Sequence, residues 1–198
     1  MTVITFDDNL ITGNSYLSSC QEMSEYVFNA DLTKELSEIS DNLESLGYYQ
    51  YYKDTNRVTY YDRGGEIELS SEPDITEDCI SLSYNTGDIF VPFYLRLGDF
   101  TYDSDIYEDN IAYDESPKIL ADMESVRNID VGTTLESIEQ SGLLKYADHI
   151  KKTYYRGTDK LEYQIDLSIY LNRGENNSDS NHIHNNLHIK DGAVTESY

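Results

Sequence analysis

Three histidines near the C-terminus come closest to a metal-ligand pattern. His184 and His188 are four residues apart, as on one face of a helix. His182 and Asp179 lie beside them in the sequence. The pair Asn185-Asn186 instead favours a tight hairpin, which would turn His188 away from the other two histidines. We weigh two interpretations of this segment, a metal site and a solvated polar tail, and predict the tail.

An acidic run in the middle of the chain offers clustered oxygen atoms, the ligands that Ca²⁺ prefers. It contains Asp103, Asp105, Glu108 and Asp109. The run departs from the EF-hand pattern, because Glu108 stands where glycine is required and Asp114 stands where a bidentate glutamate is usual. An irregular calcium site in this loop stays an alternative, and we predict no cofactor.

The usual sequence templates for catalysis are absent. The chain contains no G-x-S-x-G, no glycine-rich phosphate loop and no H-E-x-x-H motif. None of its lysines has a carboxylate two residues before it, the spacing common in metal nucleases. Two carboxylates for glycoside cleavage could lie among the 38 acids, since spacing in the sequence does not fix separation in space. We predict that the protein is not an enzyme.

Net charge is the strongest feature of the composition. The 198 residues hold 38 Asp and Glu against 14 Lys and Arg, a formal charge of -24. This charge excludes direct binding to DNA, RNA or an anionic membrane surface, because each repels carboxylates. Residues 1–144 hold 30 acids and 7 bases, whereas residues 145–198 hold 8 acids and 7 bases. We expect a basic protein as partner; the alternatives are a homodimer and an acidic surface that is merely well solvated.

Hydrophobic periodicity predicts an α+β fold with an N-terminal helical pair, an antiparallel β-meander, an acidic loop, two or three short helices and a C-terminal β-hairpin. Asp31 is placed to cap the second helix, Gly47 to end it, and Thr133-Thr134-Leu135-Glu136 to form a capping box. The predicted helices span residues 15–28, 31–46, 117–128, 133–142 and 143–152, and the predicted strands span 3–6, 48–53, 57–62, 66–70, 79–84, 89–95 and 161–171.

The chain is predicted to form one acidic domain over residues 1–172. Residues 173–198 are polar and are interpreted as a tail or a small hairpin, whose removal should leave the fold intact. No stretch approaches the ~18 apolar residues of a membrane span, and residues 1–10 lack the basic and apolar regions of a signal peptide. We therefore expect a cytoplasmic protein, in the host-cell cytoplasm if a phage encodes it.

Carboxylates are spaced so that they could replace nucleic-acid phosphates. Four acids of the predicted second helix recur every three residues, which places neighbouring Cβ atoms ~5–6 Å apart, close to the spacing of successive phosphates. A loop over residues 99–115 adds seven acids without a base, and its tyrosines supply apolar contact area. The predicted partner-binding residues are Asp99, Tyr102, Asp103, Asp105, Tyr107, Glu108, Asp109, Asp114 and Glu115 of the loop and Glu35, Glu38, Asp41 and Glu44 of the helix.

In size and composition the chain resembles phage and mobile-element inhibitors that mimic DNA, the anti-restriction and anti-CRISPR proteins. These proteins share no common motif, so the resemblance assigns no residue. It implies a non-enzymatic inhibitor that binds a basic nuclease or nucleic-acid-binding effector through carboxylates and tyrosine rings. A nuclease immunity protein is a close variant of this hypothesis. A metal-dependent enzyme or a calcium-stabilised structural module is the alternative from another class.

The dense negative charge makes stability depend on salt. Added monovalent salt should raise the melting temperature, because the Debye length falls from ~30 Å at ~0.01 M to ~8 Å at ~0.15 M and repulsion among the acids is screened. Thermal unfolding followed by circular dichroism at the two concentrations measures this effect. A melting temperature that stays the same or falls at the higher concentration would contradict a dense acidic face.

Overall fold

The computed structural model describes residues 13–62, 65–74, 77–86, 112–171 and 181–198. These residues form the predicted α+β fold, in which eight antiparallel strands make one sheet in sequence order. No helix in this part of the chain is long and apolar enough to cross a lipid bilayer. The helices are α1 (Gly13–Asn29), α2 (Leu36–Ser45), α3 (Ala112–Arg127) and α4 (Leu135–Gln140), and the strands are β1 (Tyr49–Lys53), β2 (Arg57–Asp62), β3 (Gly65–Asp74), β4 (Glu77–Asn85), β5 (Ala147–Tyr155), β6 (Lys160–Leu171), β7 (Asn181–Lys190) and β8 (Ala193–Ser197).

One face of the sheet is a continuous apolar layer. Because side chains alternate across a strand and neighbouring strands pair in register, residues of six strands line up in rows. One fully buried row contains Tyr60, Ile67, Tyr84, Ile150, Ile165 and Leu187. Helices α1, α2 and α3 pack on this face through buried side chains that include Met23, Leu43 and Val126. The apolar layer therefore holds the three helices on one side of the sheet.

A buried lysine joins the sheet to the C-terminus of α1. Lys152 lies in β5 between Leu82 and Tyr163 of the neighbouring strands and is 5% exposed. Its ammonium group donates hydrogen bonds to the carbonyl oxygens of Phe28, at 2.7 Å, and Ala30, at 2.6 Å. It also lies 5.2 Å from the centroid of the Tyr163 ring. The positive charge there meets the negative end of the helix dipole and satisfies carbonyls that the helix leaves unpaired.

Two further polar contacts hold α2 and α3. Asn185 of β7 is buried and donates from Nδ2 to the carbonyl oxygens of Val126, at 2.9 Å, and Ile129, at 3.2 Å, at the end of α3. Tyr60 of β2 shares a hydrogen bond with the Ser40 hydroxyl of α2. Each of these three helices is therefore attached to the sheet by a buried polar side chain as well as by apolar packing.

Helix α2 is shorter than predicted. The prediction began this helix after Asp31, but it begins at Leu36, after an extended Glu35. Asp31 instead accepts hydrogen bonds from the backbone N–H and the hydroxyl of Thr33, which closes a local turn. Gly47, with a φ of 90°, ends the helix as predicted, since glycine adopts this left-handed conformation without strain.

The helices between β4 and β5 also depart from their predicted bounds. Helix α3 begins at Ala112 rather than near residue 117, so the end of the predicted acidic loop is helical. Thr134 caps α4 by accepting a hydrogen bond from the N–H of Ser137 at 3.2 Å. The cap therefore lies one residue later than in the predicted capping box, and its partner is a serine rather than Glu136.

The predicted helix over residues 143–152 is wrong. Leu143–Tyr146 forms one 3₁₀ turn, and β5 occupies the rest of the segment. Strand β5 pairs with β4 on one side and with β6 on the other, and these hydrogen bonds override the helical pattern of the local sequence. The predicted strands over residues 3–6 and 89–95 lie outside the described part of the chain.

Of the two predicted alternatives for the C-terminal residues, a tail and a small hairpin, the hairpin is the one that forms. This hairpin belongs to the main sheet. Strand β7 pairs with β6 over ten residues, and β8 returns beside β7. The chain reverses at Asp191 and Gly192, which both have positive φ. The predicted reversal at Asn185-Asn186 is wrong, because these residues lie inside β7 and pair with β6.

Removal of residues 173–198 should therefore unfold the domain, contrary to the expectation from the sequence. It takes Leu187, Ile189 and Val194 out of the core and Asn185 away from α3. Single large-to-small changes at buried aliphatic positions already cost ~2–5 kcal/mol, against a typical total stability of ~5–15 kcal/mol. A chain that ends at residue 172 should show no cooperative thermal transition by circular dichroism. A transition close to that of the full chain would contradict this prediction.

Lys152 should make stability depend on pH in the alkaline range. Burial lowers the pKa of Lys152 to about 8, although the carboxylates of Asp31 and Glu139 partly oppose this shift. From pH ~8 to ~9.5 the folded chain releases this proton, while the unfolded chain, with an ordinary lysine pKa of ~10.4, retains it. The free energy of unfolding therefore rises with pH, by up to ~1.4 kcal/mol per pH unit.

Denaturant titrations at the two ends of this pH range measure the effect. The rise should be present in the wild-type chain and absent from Lys152→Met, which retains an unbranched side chain but cannot ionise. The same rise in the variant would mean that another group causes it.

Candidate acidic interface

Helix α2 presents three carboxylates to solvent on one face. Its buried side chains, which include Ile39 and Leu43, face the sheet. Glu38, Asp41 and Glu44 are exposed on the other side at the predicted three-residue spacing. Within the described residues, none of these three carboxylates takes part in a salt bridge. Their charge is therefore open to a partner.

Glu35 has a different position from the one predicted. It occupies the N-cap position of α2 rather than its interior, and one carboxylate oxygen lies 3.8 Å from the guanidinium of Arg156. Arg156 also lies 3.8 Å from Asp78, so its charge is divided between two exposed carboxylates. Surface pairs of this kind contribute ~0–1 kcal/mol, and a cation of a partner could therefore replace Arg156.

Helix α1 extends the acidic surface. It carries the exposed Glu22 and Glu25. The Tyr26 hydroxyl of α1 accepts a hydrogen bond from Asn42 of α2 at 3.2 Å, which ties the two helices together. Residues 20–48 hold seven acids and a single base. We call the exposed carboxylates of the two helices the acidic helix face; they are Glu22, Glu25, Glu38, Asp41 and Glu44.

The buried Tyr60 hydrogen-bonds to α2, and the carboxylates of that helix affect its pKa. Burial raises the pKa of Tyr60, and its hydrogen bond with Ser40 partly opposes the shift. The negative charges of Glu44 and Asp41 raise the pKa further. Burial and the neighbouring carboxylates thus both favour the protonated phenol, which shares the hydrogen bond with Ser40.

Most of the predicted loop site lies outside the described residues. This applies to Asp99, Tyr102, Asp103, Asp105, Tyr107, Glu108 and Asp109. Asp114 and Glu115 belong to the first turn of α3. The predicted interface is thus divided into a helical part with exposed carboxylates and a loop part that stays a prediction.

Four exposed tyrosines form a second surface at the border of the sheet. Tyr49 and Tyr61 are register partners in β1 and β2, and the ring of Tyr51 meets that of Tyr61 edge-on at 5.1 Å. Tyr60 is buried under α2, so its neighbour Tyr61 faces away from the helices. We call these residues the tyrosine patch; their exposed fractions are 70% for Tyr49, 69% for Tyr51, 42% for Tyr52 and 40% for Tyr61.

Carboxylates border the tyrosine patch. The Tyr52 hydroxyl donates a hydrogen bond to Asp54 at 3.0 Å, and a hydrogen bond to Glu66 raises the pKa of Tyr61 to about 12. The sequence contains a signal for this patch, because two adjacent tyrosines in a strand cannot both face the core. It does not reveal the irregular register between Gln50 and Tyr52 of β1, which brings Tyr51 beside Tyr61.

The three histidines share one face of β7 but are spread along it. His182, His184 and His188 stand at even positions of the strand, contrary to the predicted hairpin. A strand rises ~3.3 Å per residue, so His184 and His188 are ~13 Å apart. His182 Nε2 shares a hydrogen bond with Ser168 of β6 at 3.1 Å. Within the residues that the structure describes, no group of three or more His, Cys, Asp or Glu side chains could hold a metal ion.

Comparison with protein-family models, with curated proteins and with solved structures finds no match to this chain. Its function is therefore inferred from its residues and their geometry.

Proposed function

We propose that the protein is a non-enzymatic inhibitor that binds a basic nucleic-acid-handling protein, with carboxylates in place of DNA or RNA phosphates. The acidic helix face carries the proposal. Three of its carboxylates, Glu38, Asp41 and Glu44, repeat along α2 at a spacing close to that of phosphates and form no salt bridge with described residues. The partner is a nuclease or nucleic-acid-binding effector of the cytoplasm, and binding requires no cofactor.

Rigid placement of the carboxylates supports this mechanism. The core contacts of Ile39 and Leu43 and the hydrogen bond between Ser40 and Tyr60 fix α2 on the sheet. Because the backbone of α2 is already ordered, binding restricts only its exposed side chains, so less affinity is lost to conformational entropy. Its field also steers a basic partner and raises the association rate at low ionic strength.

The predicted acidic loop is the proposed second part of the interface. Residues 99–111 contain five acids and no base, and Asp114 and Glu115 follow in the first turn of α3. Tyr102 and Tyr107 would add aromatic contact area to these carboxylates.

Displacement of proteins from immobilised nucleic acid tests the proposal. Cell lysate is passed over immobilised double-stranded DNA and, in parallel, over immobilised RNA, and the washed matrices are treated with the purified protein. The wild-type chain should release a basic protein from at least one matrix, and raised salt should weaken the direct complex of the two proteins. Release of nothing beyond what a buffer wash removes would contradict nucleic-acid mimicry.

Charge reversal of α2 assigns the displacement to the proposed surface. In Glu38→Lys/Asp41→Lys/Glu44→Lys the dissociation constant for the released protein should rise at least ~30-fold, since loss of one desolvated charge pair typically costs ~2–5 kcal/mol. The matched control is Asp130→Lys/Glu136→Lys/Glu196→Lys, which changes net charge equally at exposed positions away from α2. Equal weakening by the two variants would mean that only net charge matters, and circular dichroism checks that both fold.

A further inference from the structure

We propose that the tyrosine patch binds arginine side chains of the basic partner. This inference rests on the proposed function and gives that interaction a source of specificity beyond net charge. The patch is held on the sheet face opposite the helices, at the border that also carries α2 on its other face. A partner that binds around this border would contact carboxylates of α2 on one face of the sheet and tyrosine rings on the other.

The chain's own Arg57 shows how a guanidinium fits this surface. Its central carbon lies 5.3 Å from the ring centroid of Tyr52, and one of its nitrogens lies 3.4 Å from a carboxylate oxygen of Glu68. A single arginine thus stacks on a tyrosine ring and pairs with a carboxylate at the same time. Tyr49 and Tyr51 offer more open rings than Tyr52.

Charge complementarity selects a cationic occupant for the patch. Asp54 and Glu66 accept hydrogen bonds from Tyr52 and Tyr61, and Glu68 pairs with the Arg57 guanidinium that lies over the ring of Tyr52. Arginine suits this combination better than lysine, because a planar guanidinium stacks on an aromatic face and forms paired hydrogen bonds with a carboxylate. A second copy of this chain, with a formal charge of -24, would bring like charge to the same carboxylates.

Two cationic peptides of equal length measure the preference. Fluorescent deca-arginine and deca-lysine are titrated with the wild-type chain at about 0.15 M salt, a concentration at which surface attraction is strongly screened. The wild-type chain should bind deca-arginine about fivefold to twentyfold more tightly than deca-lysine, as expected for two exposed cation–π contacts. Equal affinities would overturn the inference.

Removal of two rings locates the preference. Tyr49→Leu/Tyr51→Leu keeps apolar side chains on β1 and should reduce the arginine preference to about twofold or less, with a smaller loss of affinity for deca-lysine than for deca-arginine. The control is Tyr198→Leu, an equally exposed tyrosine after β8, which should keep the full preference. A preference that survives in the double variant, or that disappears in the control, would place arginine binding elsewhere.

The remaining outcomes separate this inference from the proposed function. Displacement from DNA or RNA that depends on α2, without any arginine preference, would leave the inhibitor proposal standing and overturn only the role of the tyrosine patch. Sedimentation of the wild-type chain as a dimer that Tyr49→Leu/Tyr51→Leu dissociates would assign the patch to a second copy, and would also overturn it. Thermal melting of both tyrosine variants near the wild-type temperature establishes that their binding data report on a folded protein.

Discussion

The hydrogen bonds from Lys152 to the end of α1 are the contact on which the arrangement of helices and sheet depends. Lys152 occupies a position in an otherwise apolar row, where an ammonium ion without partners would be strongly destabilising. The carbonyls of Phe28 and Ala30 and the ring of Tyr163 replace the hydration that the ammonium group loses on burial. Because hydrogen bonds are directional and apolar contacts are not, these bonds restrict the position of α1 more closely than apolar packing alone.

Buried polar side chains of the sheet also hold α2 and α3, and the contact to α2 positions the candidate interface. Asn185 binds the end of α3, and Tyr60 binds Ser40 in α2. The contact at Tyr60 sets α2 above the border of the sheet, with its carboxylates outward. Tyr61, the next residue of β2, points to the opposite face of the sheet and belongs to the tyrosine patch. Strand β2 therefore positions both α2 and the tyrosine patch.

The few basic residues are distributed in a way that strengthens the acidic surface. On the polar face of the sheet Lys160 and Lys190 pair with Glu162, at 2.7 and 3.6 Å, and Arg57 pairs with Glu68 at 3.4 Å. These local pairs neutralise acids that lie away from α2. On α2 itself, Glu38, Asp41 and Glu44 form no salt bridge with described residues, so their negative charge is not neutralised at the surface.

Local sequence determined the α+β class, strand β2 with its predicted bounds, the end of α2 at Gly47 and the outward carboxylates of that helix, because each depends on periodicity or on a residue's own conformational preference. Tertiary structure decided the rest. Residues 143–152 follow a helical pattern yet form a 3₁₀ turn and the start of β5, because β4 and β6 offer hydrogen bonds on both sides. The burial of Lys152 depends on the pairing of β5 with β4, a strand distant in sequence. The inclusion of the C-terminal hairpin in the sheet and the gathering of four tyrosines depend on the register between neighbouring strands, which the pattern within one strand does not encode.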